Sequence, residues 1–160
     1  MTVRPFEQIV VEHGPVVMRV CRAVLPAADA EDAWAETFVA ALRAYPNLRP
    51  DSNVRGWLVT IAYRKAIDQI RSRARAPLPT VEVPEIATHD EIAPAPDAAL
   101  RAALDALPEK QRRAVIYHYL AGLPYAEVGA LLETSESAAR RSAADGIANL
   151  RKTYTKGATS

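Results

Sequence analysis

Arg55, Arg64, Lys65, Arg71, Arg73 and Arg75 lie within one stretch and are opposed there only by Asp68, with Arg49 just upstream. Tyr45, Tyr63, Asn47 and Asn53 are interleaved with them. Holding a nucleic-acid strand whose bases have left the stack needs this set: cations for phosphates, aromatic faces for bases and amides for base edges. Immediately upstream, Asp29, Glu31, Asp32 and Glu36 follow one another with no intervening cation. An acidic surface repels phosphate and attracts the cations of a protein partner. Two neighbouring segments of opposite sign thus point to protein on one side and nucleic acid on the other.

Helices must position these groups. From about Pro5 to Pro26, Phe6, Ile9, Val10, Val16, Val17, Val20, Val24 and Leu25 recur at helical spacing, and Gly14-Pro15 is expected to bend or restart the helix. Asp29 is expected to cap the next helix. Its apolar face reads Ala33, Trp34, Thr37, Phe38, Ala41 and Leu42, and it ends near Tyr45-Pro46 because proline disfavours a helical residue before it. Asn47 to Asn53 then forms a loop. The basic stretch, Val54 to Arg75, is a third helix with Trp57, Leu58, Ile61 and Ala62 on a shared side. Trp57 on that side is expected to be core, Tyr63 is open between core and base contact, and Asp68 is expected to pair with an arginine one turn away.

Residues 76–96 carry five prolines and Glu82, Glu85, Asp90 and Glu91 without any Lys or Arg, and read as a flexible, solvated linker. A second helical block starts at Asp97. Leu100, Leu104 and Leu107 share one face, and Val115, Ile116, Tyr119 and Leu120 another. The segment YAEVGALLE, the Thr134-Ser135 cap and the longer helix ESAARRSAADGIANLRKTY describe a helix-turn-helix with Arg140 and Arg141 near the start of its second helix. Gly146 is expected to weaken that helix by about 1 kcal/mol relative to Ala.

The fold class is therefore all-α: two small helical domains, residues 1–75 and 97–156, joined by the linker, with a tail at 157–160. The formal charge of +1 averages over segments that differ strongly and excludes little. A lone Cys21 supports neither an internal disulfide nor a Cys-rich zinc site. His13, His89 and His118 lie in unrelated contexts, and no glycine-rich phosphate loop is present, so no enzyme chemistry, metal or cofactor is expected. With no long apolar run and no export signal, the expected location is the cytoplasm, without membrane insertion.

Three motifs in order carry a family resemblance. AEDAWAETF is similar to an AED-x-x-Q-[ED]-x-F element at Ala30, Glu31, Asp32, Glu36 and Phe38. RGWLVTIAYRKAIDQIRSRAR is similar to WL-x-x-IA-x-N-x-x-ID-x-x-R-x-x-R at Trp57, Leu58, Ile61, Ala62, Ile67, Asp68, Arg71 and Arg75. LPEKQRRAVIYHYLAGLPYAEVGALL matches at Leu107, Pro108, Arg112 or Arg113, Gly122, Leu123, Tyr125, Glu127 and Leu131. Together they resemble the extracytoplasmic-function group of the sigma-70 family of bacterial RNA polymerase initiation factors. The resemblance implies a non-enzymatic factor whose first domain grips the polymerase clamp helices and reads the −10 promoter element, and whose second reads −35 DNA and contacts the flap. An anti-sigma factor is implied as a further partner.

On that reading Asp32, Glu36, Trp34 and Leu42 bind polymerase. Tyr45, Asn47, Arg49, Asn53, Arg55, Tyr63, Arg64 and Lys65 bind the −10 region, and Ser135, Ser137, Arg140, Arg141 and Arg151 the −35 region. The chain departs from the family at Ala35, at Tyr63-Arg64 and along SAARRSAADG, where Ser142 and Asp145 stand in place of common cations, so −10 recognition is the firmer expectation. Two alternatives remain open: a dimeric helix-turn-helix regulator that binds duplex DNA without polymerase, and a sigma-like protein that does not initiate.

Overall fold

In the computed structural model of the chain, residues 4–49, 51–75 and 95–159 are described, and among them seven α-helices form two groups. Helices α1 (Phe6–Val24), α2 (Ala27–Ala44) and α3 (Val54–Arg75) pack pairwise against one another as the N-terminal domain. Helices α4 (Ala95–Asp105), α5 (Glu109–Val115), α6 (Tyr125–Leu132) and α7 (Glu136–Thr159) form the C-terminal domain, where α7 packs on α4, α5 and α6. The linker expected over 76–96 lies outside the described residues as far as 94, while Ala95 and Pro96 already belong to α4. At the other end α7 runs on through Thr159, into the segment expected as a tail.

Helix α1 does not restart at Gly14-Pro15; it is continuous, with Pro15 inside it. Pro15 deprives the Val11 carbonyl of its donor, but Val11 is 78% exposed and water can serve that carbonyl. Gly14 is in turn the site of a close approach: a Cβ there would lie 3.4 Å from the Trp34 ring, whose Nε1 donates to the Gly14 carbonyl at 3.0 Å. Asp29 is not the cap of α2, whose N-cap is Pro26. It sits in the first turn, where a carboxylate favours the helix dipole, and accepts from Arg73 at 2.7 Å, tying α2 to α3.

The core of the N-terminal domain holds Ile9, Val17, Val20, Cys21, Phe38, Leu58 and Val59, with Trp57 half-buried against it. Burial pushes the Cys21 thiol up to about 12, which leaves it inert as a nucleophile. In the C-terminal domain α5 passes into a π-helical turn, Ile116–Leu120, where the Ala121 N–H reaches back five residues to the Ile116 carbonyl. The wider turn shifts the inward face: Tyr117 is fully buried and Tyr119, expected inside, is 54% exposed. Leu104 and Leu107 are buried, whereas Leu100 stays 38% exposed.

The two domains meet along a seam. Helix α4 and the π-turn both pack on α1, and α6 touches α3. Arginines cross the seam in both directions. Arg19 Nη1 donates to the Leu120 carbonyl at 3.0 Å, Arg55 Nη1 to the Ala121 carbonyl at 3.1 Å, and Arg112 Nε to the Tyr63 hydroxyl at 3.1 Å.

Candidate polymerase and nucleic-acid interfaces

Helix α2 keeps Glu31, Asp32 and Glu36 on the outside because Ala30, Ala33, Thr37, Phe38 and Ala41 take the inner face. Asp32 and Glu36, one turn apart, are both exposed. Leu42 is 54% exposed and Val39, one turn beyond Glu36, is 50% exposed. Acidic residues beside apolar ones form a surface suited to a partner with cations around a hydrophobic spot. Trp34 does not join it: the indole points inward, packs at 4.7 Å on Phe38 and uses its only donor on Gly14. Val39 is the residue the sequence reading missed. Its i+3 and i+7 spacing from Glu36 and Asp32 is the signal that marks it.

In the loop before α3, Asn47, Arg49 and Asn53 are exposed. The Asn53 Oδ1 accepts from the Gly56 N–H at 3.1 Å and caps α3, while its amide nitrogen lies over Gly56 and makes no hydrogen bond among the described residues. Tyr45 is held in place, its ring edge-on to Phe6 at 5.3 Å and its hydroxyl donating to the Arg4 carbonyl. Arg64 is exposed and Lys65 half-buried.

Two residues expected to contact DNA are engaged elsewhere. Tyr63 is only 4% exposed, pressed edge-on against Tyr117 at 5.8 Å and bonded to Arg112, while the Arg113 guanidinium lies over both rings. Burial raises the Tyr63 phenol above its ordinary value, against the opposing pull of Arg112. Arg55 is half-buried with one nitrogen on Ala121. Asp68 is exposed in a cleft beside Arg64, Arg71 and Arg113 and makes no ion pair among the described side chains, contrary to the expected pairing.

The helix-turn-helix is built by α6 and α7. Glu133 adopts the left-handed conformation (φ 58°) that ends α6, and the turn passes so close to Gly129 that a Cβ there would meet the Thr134 carbonyl oxygen at 2.9 Å. Ser135 Oγ accepts from the Ala138 N–H at 3.0 Å and caps α7, so its hydroxyl serves the helix first. Ser137, Arg140 and Arg141 are exposed in the opening turns of α7, and Arg140 pairs with Glu136 at 2.9 Å. Arg151 is also exposed but lies about 15 Å further along the axis. Gly146 proves to be a packing requirement: a Cβ there would come within 2.7 Å of Val115 Cγ2, where α7 crosses α5.

No group of His, Cys, Asp and Glu suited to a metal occurs among the described residues. No helix among them is long and apolar enough to cross a membrane. His89 lies outside the described residues, His13 is buried, and His118 is stacked against Tyr125.

Comparison with known proteins fits this geometry. The family model for sigma-70 region 2 matches residues 9–76, and that for sigma-70 region 4 matches residues 97–150. The chain is 32% identical over 152 residues to the RNA polymerase sigma factor CarQ of Myxococcus xanthus, covering 92% of this chain and 87% of CarQ. It is also 32% identical over 139 residues to the extracytoplasmic-function sigma factor SigE of Mycolicibacterium smegmatis, covering 79% of this chain and 52% of SigE. Among solved structures, CnrH in complex with the cytosolic domain of CnrY superposes with a TM-score of 0.71 at 26% identity, over 92% of this chain and 85% of that one. RpoE of Bartonella quintana, solved with the anti-sigma factor NepR, gives 0.70 at 19% identity over 94% and 96%, a likeness of fold. With both region models matched in order and a full-length relative at this identity, the chain belongs to the sigma-70 family of RNA polymerase sigma factors, in its extracytoplasmic-function group.

Proposed function

We propose that residues 1–75 dock on the polymerase clamp helices through Asp32, Glu36, Val39 and Leu42 and capture the melted −10 strand with Asn47, Arg49, Asn53, Arg55, Tyr63, Arg64 and Lys65. The chain is a sigma factor that directs transcription initiation, with core RNA polymerase and promoter DNA as its partners. It acts by binding and not by catalysis, in the cytoplasm where polymerase works. One observation supports the residue assignment most: the N-terminal domain leaves Asp32 and Glu36 exposed on α2 and, separately, Asn47, Arg49, Asn53 and Arg64 exposed around the start of α3. Tyr63 and Arg55 join the strand only after the seam opens, because a buried ring cannot stack on a base. Polymerase binding is the event that supplies the energy for that separation.

Residues 97–156 read −35 duplex DNA through Ser137, Arg140 and Arg141, with Arg151 on the backbone and the flap as the protein contact. An anti-sigma factor is a further partner, in the way that RpoE of Bartonella quintana has been solved with the anti-sigma factor NepR. The deciding experiment is run-off transcription from genomic fragments with purified core polymerase. Transcripts that depend on both core enzyme and this chain support the reading. Binding to duplex DNA as a dimer without polymerase, and no transcript, would return it to the regulator alternative.

A further inference from the structure

Arg140 and Arg141 are neighbours at the DNA-facing end of α7, yet the fold treats them differently. Arg141 is exposed and makes no hydrogen bond or ion pair among the described residues. The Arg140 guanidinium lies 4.5 Å from the centre of the Tyr125 ring and donates to Glu136 at 2.9 Å. Beneath it the column continues: the His118 ring stacks on Tyr125 at 3.8 Å with 15° between planes. The His118 Nδ1 in turn meets the Leu123 carbonyl at 2.8 Å, which fixes the imidazole plane, and Tyr119 stands edge-on to it at 4.8 Å. Three elements thus contribute to one stack: His118 from the π-turn, Tyr125 from the first turn of α6 and Arg140 from α7.

An arginine side chain surrenders much rotamer freedom when it engages a base edge, and a planar guanidinium already oriented surrenders less. Two parallel N–H bonds to the O6 and N7 of guanine are the base contact its planar fork fits, whereas a freely rotating arginine serves any phosphate. We propose that Tyr125, braced by His118, is a positioning residue that orients Arg140 as the guanine-reading side chain of the C-terminal domain, leaving Arg141 to the sequence-independent backbone. This rests on the reading of that domain as the −35 duplex reader and deepens it. The ion pair to Glu136 alone would not suffice, since an exposed pair one turn apart on a helix holds its partners weakly.

The test uses the full chain with core polymerase and a promoter duplex library randomised over the −35 segment, with the bound fraction sequenced. Wild type enriches guanine at one position. Arg140→Ala abolishes that enrichment, and Tyr125→Leu reduces it by about threefold or more. Tyr125→Phe, which keeps the ring, restores it, and Arg141→Ala lowers total binding with the base preference kept. Wild-type preference in Tyr125→Leu, or equal losses in the Leu and Phe variants, overturns the proposal. A second readout needs no DNA: nuclear relaxation of the Arg140 Nε–H in the free chain reports an ordered side chain in wild type and Tyr125→Phe and a mobile one in Tyr125→Leu. An equally ordered Arg140 in the Leu variant overturns the positioning role even where binding changes. An ordered Arg140 in a wild type that enriches no base would instead sink the reading of this domain as a duplex reader, and the inference with it.

Discussion

Asn53 combines an observed cap with a proposed base contact, and substitution separates the two. Its side-chain oxygen caps α3, and its amide nitrogen makes no hydrogen bond among the described residues. Asn53→Ala should lower unfolding free energy by about 1 kcal/mol, whereas Asn53→Ser keeps a capping oxygen and should stay within a few tenths. Both should form fewer open complexes, measured by permanganate reactivity of the melted strand, if the amide reads a base. A Ser variant that melts promoters as wild type does would confine Asn53 to capping. His13 is a second residue with a readable consequence. It is 5% exposed with its Nδ1 unpartnered among the described residues, and burial, helped by Arg55 and Arg4 against the opposing Glu12, holds its pKa below 6.5. In the unfolded chain the imidazole takes up a proton as pH falls through 6.5 and in the fold it does not, so stability should drop over that window. Thermal melting across it should show a steeper fall for wild type than for His13→Phe.

At the scale of elements, α2 offers the test of polymerase docking. Asp32→Arg combined with Glu36→Arg should weaken core-polymerase binding in a pull-down while leaving the melting temperature nearly unchanged, since both side chains are exposed. Helix α7 offers the opposite case. Gly146→Ala, which would stabilise an isolated helix, should destabilise this domain by about 1–3 kcal/mol because the new methyl group meets Val115. A raised melting temperature would refute the crossing geometry. The two examples show what a sequence conveys about elements. The periodicity of α1 to α3, Pro26 before α2 and the polar loop before α3 set the helices, and the bounds of α3 are those its sequence implies. A π-turn leaves no such trace, so Tyr119, expected inside, is exposed while Tyr117 is the buried ring; nor does a helix crossing announce that a glycine is needed for proximity and not for flexibility. Exposed cations and acids on single helices were legible in the same way. The fates of Tyr63, Arg55 and Trp34 were not, because each depends on a partner 20 or more residues away.

For the whole molecule the seam makes a prediction of its own. In the free chain Tyr63 should resist nitration by tetranitromethane while the exposed Tyr119 reacts, as read by mass spectrometry. Arg19→Glu together with Arg112→Ala removes a contact from each side and should raise Tyr63 nitration several-fold, with Arg19→Glu alone, an exposed position, giving a smaller rise without loss of fold. Protection that persists in the double variant would mean that the N-terminal domain buries this ring unaided. The same contacts bear on how an unengaged copy behaves in a cell full of chromosomal DNA. Any protein carrying an open basic track is titrated by non-specific phosphate, and the excess of such sites is enormous. In the lone chain Arg49 and Arg64 stay open to phosphate, but Arg55 is tied to a backbone carbonyl and the Tyr63 ring is out of reach, so no stacked base adds to that salt-sensitive attraction. A copy without polymerase should therefore let go of chromosomal DNA as salt rises and return to the pool that polymerase draws on.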